Sequence, residues 1–316
     1  TITPIGSQIL YDMLKHPGTS KDELKKLLDI FASNTSLRRN IQISFLGLAK
    51  VPAKHLAYSL WKPIPEKPKY SFVFYLLSAL SVWVAVLSVI VLIHWGFAIL
   101  IYTINLIVYR IYEKKLSEFV VSFQFLSELI GKSYKIASLL PDELCDIKDD
   151  LKKELRHTKS ISKKVYSLKL DESNNPIVAI YNSYTLAPIT GFISAVDSLK
   201  KNISSIQRIF EIVGYLDALI AIASYRKQFP NFCNPTLNTA KSFSVTNIAH
   251  PLVVNPVPND FTFDTKCLLI TGSNMSGKST FLKTLGINAV LAQSFNMCFA
   301  EKYEAPFLKI TSSIER

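Results

Sequence analysis

The stretch Cys267–Ala292, "CLLITGSNMSGKSTFLKTLGINAVLA", predicts a phosphate-binding loop held between a β-strand and an α-helix. Within it, Gly272–Ser279 follows the Walker A pattern Gly-x-x-x-x-Gly-Lys-Ser. The apolar run before the loop is typical of a buried strand, and the residues after it favour a helix. A helix that begins here directs unpaired N–H groups and a partial positive charge at the loop. The segment therefore predicts a nucleotide site.

The residue types in this loop suit the binding of a magnesium-bound triphosphate. Two glycines allow the tight turn and the close approach of main chain to phosphate oxygen. The lysine supplies a cation for the β- and γ-phosphates, and the hydroxyl of Ser279 can ligate Mg²⁺. The alternative is an ordinary strand-to-helix turn with a surface lysine. The predicted site residues are Gly272, Ser273, Asn274, Met275, Ser276, Gly277, Lys278, Ser279 and Thr280.

A second informative segment, Ser71–Tyr109, contains no Asp, Glu, Lys or Arg. Roughly 20 apolar residues cross a bilayer, so this length predicts two crossings, near 71–93 and 97–113, with an apex at His94–Gly96. Lysine and arginine residues flank both sides of the pair, so we expect both ends and the nucleotide-binding region in the cytoplasm. The alternative is a buried helical hairpin inside a soluble core.

The overall composition fits a basic, partly membrane-embedded protein of a reducing compartment. The net charge is +12, which suits nucleic acid, an anionic membrane surface, or both. The 316 residues are 49% hydrophobic and suffice for two or three compact units. The cysteines are far apart and form no Cys-x-x-Cys pair, which argues against a zinc site or a disulfide framework. They are Cys145, Cys233, Cys267 and Cys298.

Apolar stripes at helical spacing predict long helices on either side of the uncharged segment. Near the start, a turn at Pro17-Gly18 with a cap at Thr19 or Ser20 separates two of them. The helix around 148–169 has a basic face for DNA phosphates or lipid headgroups, or simply a solvated face. The stripes comprise Leu10, Met13, Leu14, then Leu24, Leu27, Leu28, Phe31, then Leu144, Ile147, Leu151, Leu155, Thr158, Ile161, Val165, Leu168, and finally Ile203, Ile206, Phe210, Val213, Leu216, Ile220.

The predicted fold is mainly α, with core and lever helices and a transmembrane hairpin, followed by a truncated α/β P-loop NTPase domain. "SFSVTNIAHPLV", from Ser242, is expected to contain a strand of that domain. We predict a helical core at 1–65, a transmembrane hairpin at 66–113, core and lever helices at 114–236, and the first part of the ATPase domain at 237–316. The sequence is expected to be a fragment that ends before the acidic Walker B motif.

The loop and its surroundings resemble the MutS mismatch-repair ATPases, whose loop typically has the sequence T-G-P-N-M-G-G-K-S-T. Here Ser273 replaces the proline and Ser276 replaces a glycine. "AHPLV" at Ala249–Val253 resembles the family's His-Pro element, and Asn259 in "VPND" resembles another element before the loop. "TPIGSQILYDMLKHP" and "GYLDALIAIASYRKQF" are similar to the family's core and lever helices.

The resemblance implies an ATPase that binds ATP and Mg²⁺, closes as a homodimer and transmits that closure through lever helices to DNA. Catalytic residues are then expected beyond Arg316. No domain with the family's Phe-x-Glu mismatch-reading wedge precedes the core in this sequence. The resemblance therefore implies DNA binding, but it does not imply mismatch recognition. The predicted membrane hairpin interrupts this core, and in this respect the sequence resembles membrane-associated MutS-like proteins.

Two other functions remain open from the sequence. An ABC-type transport ATPase would also combine apolar helices with a Walker A loop, although this loop lacks the additional glycine usual in that family. A nucleotide-responsive membrane scaffold would bind the nucleotide without hydrolysing it.

Overall fold

The computed structural model describes most of the chain, and the chain divides into two compact units. The first unit comprises Thr1–Ile2, Gly6–Arg39 and Gly214–Arg316, and the second comprises Thr3–Ile5 and Asn40–Val213. The side chains of 113–124 and 160–166 are not described. The described residues are 1–18, 21–49, 60–61, 64, 66–90, 93–166, 176–228, 232–239, 242–264, 267–273 and 276–311.

The chain is mostly helical, with one small mixed sheet. The helices are α1 (Pro4–Lys15), α2 (Lys21–Ser33), α3 (Thr35–Ala49), α4 (Ser71–Val89), α5 (Trp95–Leu139), α6 (Cys145–Tyr166), α7 (Pro176–Thr185), α8 (Ala187–Lys201), α9 (Ile203–Gln228) and α10 (Lys278–Phe295). The strands are β1 (Thr236–Asn238), β2 (Phe243–Ile248), β3 (Asn259–Phe263) and β4 (Lys302–Pro306).

The sheet of the first unit has the strand order β1-β4-β2-β3. Strand β1 is parallel to β4, whereas β2 is antiparallel to both β4 and β3. Side chains alternate across a strand, so Phe243 and Val245 of β2 face the same side, where both are buried. They share a hydrophobic core with Ala292 of α10 and Tyr303 of β4. The strand predicted in "SFSVTNIAHPLV" is confirmed, and this core attaches α10 to the sheet.

The two elements predicted around the loop have different outcomes. The helix is confirmed as α10, but the strand before the loop is wrong, because residues 267–271 have no strand conformation. A strand is held by hydrogen bonds to a neighbouring strand, and no strand of the described sheet pairs with this run. Leu269 is accordingly 84% exposed. Leu268 lines an apolar cavity of about 310 Å³, which lies between Phe261 and Phe263 of the sheet and Leu285 of α10.

In the second unit, α4 and the first part of α5 form an antiparallel hairpin. The ring of Phe74, near the start of α4, lies 5.0 Å from the ring of Tyr112, which is well into α5. The chain reverses at His94, whose ring accepts a hydrogen bond from the Gly96 N–H at 3.0 Å. This bond caps α5 at His94. Of the predicted apex His94–Gly96, only His94 lies outside the helices, because Trp95 and Gly96 already belong to α5.

The bounds of the two predicted crossings need correction. Helix α4 ends at Val89, before the predicted position 93. Helix α5 begins at Trp95 and continues to Leu139, so position 113 is not the end of a helix. The charged residues that follow the apolar part are mostly Glu and Lys, which are good helix formers and do not interrupt it. The apolar window of α5 is Trp95–Tyr112.

The predicted helical stripes are confirmed where the structure describes them. Helix α6 packs along α5, with Leu151, Leu155 and Thr158 buried. The hydroxyl of Tyr134 in α5 donates to the Leu155 carbonyl at 2.9 Å. Buried side chains of the earlier and later stripes are Leu24, Leu28, Phe31, Ile206, Phe210, Val213, Leu216 and Ile220.

Several predictions are not tested by this structure. Thr19, Ser20 and Leu168 lie outside the described residues. The division of the chain at 65, 113 and 236 into four functional segments stays a prediction.

Candidate functional site

The loop Gly272–Thr280 adopts a backbone conformation that requires its two glycines. Gly277 has φ +90°, a left-handed conformation that L side chains rarely adopt, and it directly precedes α10. Gly272 has φ +156°, and a Cβ atom there would lie 2.9 Å from the Ser276 hydroxyl oxygen. A side chain at either position would strain or crowd the loop. The conformation explains the glycine spacing of the sequence motif.

The side chain of Lys278, the first residue of α10, folds back over the loop that precedes it. Its ammonium donates to the carbonyl oxygens of Gly272 and Ser273, both at 2.6 Å, and lies 3.5 Å from the Ser276 hydroxyl oxygen. The positive charge is thus held at the centre of the predicted site by neutral oxygens. Phosphate oxygens are stronger acceptors for this ammonium because they are charged. Asn274 and Met275 lie outside the described residues.

The first turn of α10 is open towards solvent. The Phe281 N–H donates to the Gly277 carbonyl at 2.8 Å and closes this turn. The N–H groups of the three residues before Phe281 therefore lie at the open end of the helix, where an anion is stabilised. Ser279 and Thr280 are both exposed. This donor set, with one ammonium and two accessible hydroxyls, fits a magnesium-bound phosphate chain.

Asn288, in the middle of α10, connects this helix to two other segments of the first unit. Its amide nitrogen donates to the Ala249 carbonyl at 3.0 Å and to the Thr284 carbonyl at 2.9 Å. Its amide oxygen accepts from the Phe299 N–H at 2.8 Å and from the Cys298 thiol at 3.4 Å. Asn288 is fully buried, so each of these bonds replaces one that water would otherwise make.

Through this asparagine, the His-Pro element Ala249–Val253 is fixed beside the phosphate-loop helix. The element is also held from α9, because the Tyr225 hydroxyl donates to the Pro251 carbonyl at 3.0 Å. The Tyr225 ring contacts the Phe299 ring edge-on at 5.5 Å. Asn259, the other residue singled out by resemblance, begins β3 and is exposed.

Two of the four cysteines meet close to Asn288. Cys233 and Cys298 form an isolated antiparallel bridge and exchange backbone hydrogen bonds of 2.8 and 3.0 Å. The contact with the Cys298 thiol lowers the pKa of Cys233, and the same contact together with burial raises the pKa of Cys298. None of the four cysteines forms a disulfide.

Sequence patterns singled out neither Asn288 nor the cysteine pair. Asn288 sits within an otherwise ordinary helix-forming run, and its partners are far away in the sequence. The only local signal was a polar residue at a helix position that proves to be buried, flanked by Ile287 and Ala289. The two cysteines are separated by three strands, the phosphate loop and a helix, so spacing could not pair them.

The predicted basic face is present on α6 in the second unit. Lys152, Lys153, Arg156 and Lys159 are exposed on the side opposite the buried stripe. Lys148, nearer the start of the helix, is instead paired with Asp142 at 2.7 Å. The exposed residues form a positive strip along one helix.

The chain is similar to curated proteins over part of its length. It is 31% identical over 146 residues to the DNA mismatch repair protein MutS of Lactobacillus delbrueckii subsp. bulgaricus, covering 44% of this chain and 17% of that relative. It is 36% identical over 108 residues to the endonuclease MutS2 of Streptococcus equi subsp. equi, covering 34% of this chain and 14% of that relative. For the MutS of Clostridioides difficile the values are 30% over 126 residues, 37% and 13%.

No family model matches the chain. The aligned part of this chain spans less than a fifth of the length of these curated relatives. Partial matches to both groups at 30 to 36% identity support a relationship to the MutS and MutS2 proteins.

Replacing Asn288 with Leu tests its role as the connector of α10. The substitution removes the partners of the Ala249 carbonyl and the Phe299 N–H, and each unpaired buried group costs ~1–3 kcal/mol. We expect the first unit to lose about 3 kcal/mol of stability, measured by urea titration with pulse proteolysis. Lys283→Leu, at an exposed position of the same helix, is the control. Equal stability of the two variants would contradict the role.

Proposed function

We propose that this chain belongs to a membrane-anchored, MutS-like ATPase that binds ATP and Mg²⁺ at Gly272–Thr280. The observation that carries the proposal is the position of the Lys278 ammonium, which lies in a glycine-shaped loop at the start of α10. Lys278 would contact the β- and γ-phosphates, and Ser279 would hold Mg²⁺. The bound metal would neutralise phosphate charge. The names of the partial relatives support the same family role.

Coupling between nucleotide and helices is proposed through α9. Its residue Tyr225 touches both the His-Pro element and Phe299, and Asn288 joins these to the phosphate-loop helix. A shift of α10 on nucleotide binding would therefore reach α9 through hydrogen bonds and one aromatic contact. Homodimerisation and hydrolysis, by residues beyond Arg316, complete the proposal on the ground of resemblance.

Membrane anchoring by α4 and α5 is proposed from their composition and exposure. Ser71–Val89 and Trp95–Tyr112 have mean hydropathies of 2.3 and 1.4, and only 17% of each window is buried in the fold. A core helix of a soluble protein would be mostly buried. Trp83 is 65% exposed and Leu76 is 62% exposed, which water disfavours and acyl chains favour. Both termini and the nucleotide site would then lie in the cytoplasm.

DNA is the proposed macromolecular partner, and the basic strip on α6 is the proposed contact. Its exposed lysines and arginine carry no sequence-reading geometry, so they would bind phosphates rather than bases. This fits DNA binding without mismatch preference. Mismatch repair is the role for which the MutS relatives are named, and it is not proposed for this chain.

Replacing Lys278 with Ala should weaken ATP binding. The substitution removes the cation that faces the phosphates, and we expect at least a tenfold rise in the dissociation constant for ATP with Mg²⁺, about 1.4 kcal/mol or more. Isothermal titration calorimetry of the full-length protein measures it. Lys283→Ala, one turn further along α10, is the control.

Three results are informative for this pair of variants. Unchanged binding in Lys278→Ala contradicts the phosphate-loop assignment. Loss of binding in both variants points to a damaged helix and contradicts a specific role of Lys278. Binding by the wild type without turnover would support the nucleotide-responsive scaffold over the ATPase.

Lysine substitutions on the exposed faces of the hairpin should prevent membrane insertion. Each lysine near the middle of a spanning helix costs ~2.5–3.5 kcal/mol on insertion scales. We therefore expect the double variant Leu80→Lys, Val86→Lys to leave the membrane fraction during alkaline carbonate extraction, while the wild type remains. Glu143→Lys, at an exposed position outside the hairpin, is the control. Extraction of the wild type itself would contradict the anchor.

Neutralising the basic strip should weaken DNA binding and reduce its salt dependence. In Lys152→Ser, Lys153→Ser, Arg156→Ser, the slope of log K against log salt should fall by about 2–3, since each phosphate contact contributes ~0.9. Fluorescence anisotropy with perfectly paired and mismatched duplexes measures it. Lys25→Ser with Lys26→Ser, exposed on α2, is the control. A steeper or unchanged slope in the triple variant contradicts the assignment. The assignment is also contradicted if the triple variant loses binding to anionic vesicles but keeps its binding to DNA.

A further inference from the structure

The chain contains a second long uncharged segment, at residues 176–196. No Asp, Glu, Lys or Arg occurs within it, and it is bounded by Glu172 on one side and Asp197 on the other. It forms α7 and the first part of α8. Neither helix is long enough alone to cross a bilayer, which needs roughly 20 residues. A search for single apolar helices of spanning length therefore does not identify this segment.

This segment packs directly on the hairpin of α4 and α5 at the level of its middle. The Tyr184 hydroxyl donates to the Ser81 carbonyl at 2.8 Å, and Asn105 donates to the Tyr184 carbonyl at 2.6 Å. Tyr184 also stacks on Tyr102, with ring centroids 5.9 Å apart. Ser81 lies at the centre of the apolar helix α4. Tyr184 is thus placed at the depth of the bilayer centre if the hairpin crosses it.

Leu186 separates α7 from α8, and a proline in the first turn of α8 leaves a backbone carbonyl without its helical partner. In a continuous helix, the Tyr184 carbonyl would accept from the N–H of residue 188, but Pro188 has none. The chain bends at Leu186, which has φ +54°. The amide of Asn105, fully buried in α5, supplies the missing donor. An unsatisfied carbonyl is most costly in hydrocarbon, where water is absent.

From this depth, α8 returns to the charged end of the hairpin. The Tyr75 hydroxyl, one turn into α4, donates to the Thr190 carbonyl at 3.3 Å. Further along α8, Asp197 forms an ion pair with Lys67, which precedes α4, at 2.5 Å. Charge therefore reappears in α8 at the level at which it disappears before α4. The two elements share one boundary between apolar and charged residues.

The outward face of α7 is apolar and exposed. Ile177 is 73% exposed, Ile180 is 57% exposed and Tyr181 is 51% exposed. Its polar residues Asn182 and Ser183 are buried towards the bundle. This arrangement, with polar side chains inside and large apolar ones outside, is the reverse of that of a helix facing water. It is the arrangement expected of a helix that faces lipid.

We propose that residues 176–196 form a third membrane-embedded element, a proline-broken helix that inserts beside the hairpin and presents Ile177 and Ile180 to acyl chains. This inference rests on the proposed membrane anchoring by α4 and α5 and extends it. The embedded unit is then a small bundle with a polar seam. Ser81, Asn105 and Tyr184 hold the seam together, and lipid contacts the exposed apolar faces of α4, α5 and α7.

Site-specific photo-cross-linking tests the proposal in the full-length protein. A benzophenone amino acid is placed at Leu100, Ile180 or Lys153, one position per variant, in vesicles of phosphatidylethanolamine and phosphatidylglycerol with a clickable acyl chain. Leu100 is exposed on the hairpin, and Lys153 is exposed on charged α6. We expect lipid adducts at Leu100 and Ile180 in similar yield, and at least tenfold less at Lys153.

The outcomes separate this inference from the proposal on which it rests. Adducts at Leu100 but not at Ile180 overturn the third element and leave the hairpin anchor in place. Adducts at neither position overturn both. Cross-links from Ile180 to protein instead of lipid show that a partner covers α7, and they also overturn the inference. Equal lipid yields at all three positions would mean unspecific contact and would count against it.

The seam is tested in the Ile180-probe variant. Asn105→Leu removes the donor to the Tyr184 carbonyl, and we expect the lipid adduct at position 180 to fall at least threefold as α7 loses its position. Thr103→Leu is the matched control, because Thr103 is exposed and its hydroxyl bonds only within α5, to the Ile99 carbonyl. An unchanged yield in Asn105→Leu overturns the positioning role of Asn105.

Discussion

The hydrogen bonds of Asn288 are the constraint on which the proposed nucleotide site depends. A phosphate loop works only if the helix behind it has a fixed position, and α10 has a small core contact with the sheet. Asn288 adds four hydrogen bonds that reach the His-Pro element, its own helix and the segment after it. Because the side chain is fully buried, these bonds cannot be exchanged for water without cost. They fix the position of the helix that begins at the end of the loop.

The same physical solution serves several of the carbonyl groups described above. At each place a nitrogen-bearing side chain from a helix donates to a backbone carbonyl. Lys278 serves Gly272 and Ser273, Asn288 serves Ala249, and Asn105 serves Tyr184. Lys278 differs from the two asparagines because it is accessible. Its donors can therefore be transferred to a ligand, whereas those of the asparagines remain structural.

Sequence reasoning succeeded where the signal is local and failed where it depends on a partner. The stripe containing Leu151 and Leu155 and the phosphate-loop helix follow from periodicity and from glycine spacing, which short stretches of chain contain. The strand expected at 267–271 is determined by its neighbours, because an apolar run without a paired strand has nothing to hold it extended. Asn288 and the bridge between Cys233 and Cys298 were invisible for the same reason, since their partners are distant in sequence.

The proposed membrane element and the proposed nucleotide site are joined by continuous chain. Helix α8 ends at Lys201 and α9 begins at Ile203, with only Asn202 between them. The end of α9 holds Tyr225, which touches the His-Pro element. A helix is stiff along its axis because each turn is bonded to the next. If residues 176–196 are held in lipid as proposed, the α8–α9 segment is anchored at its first end.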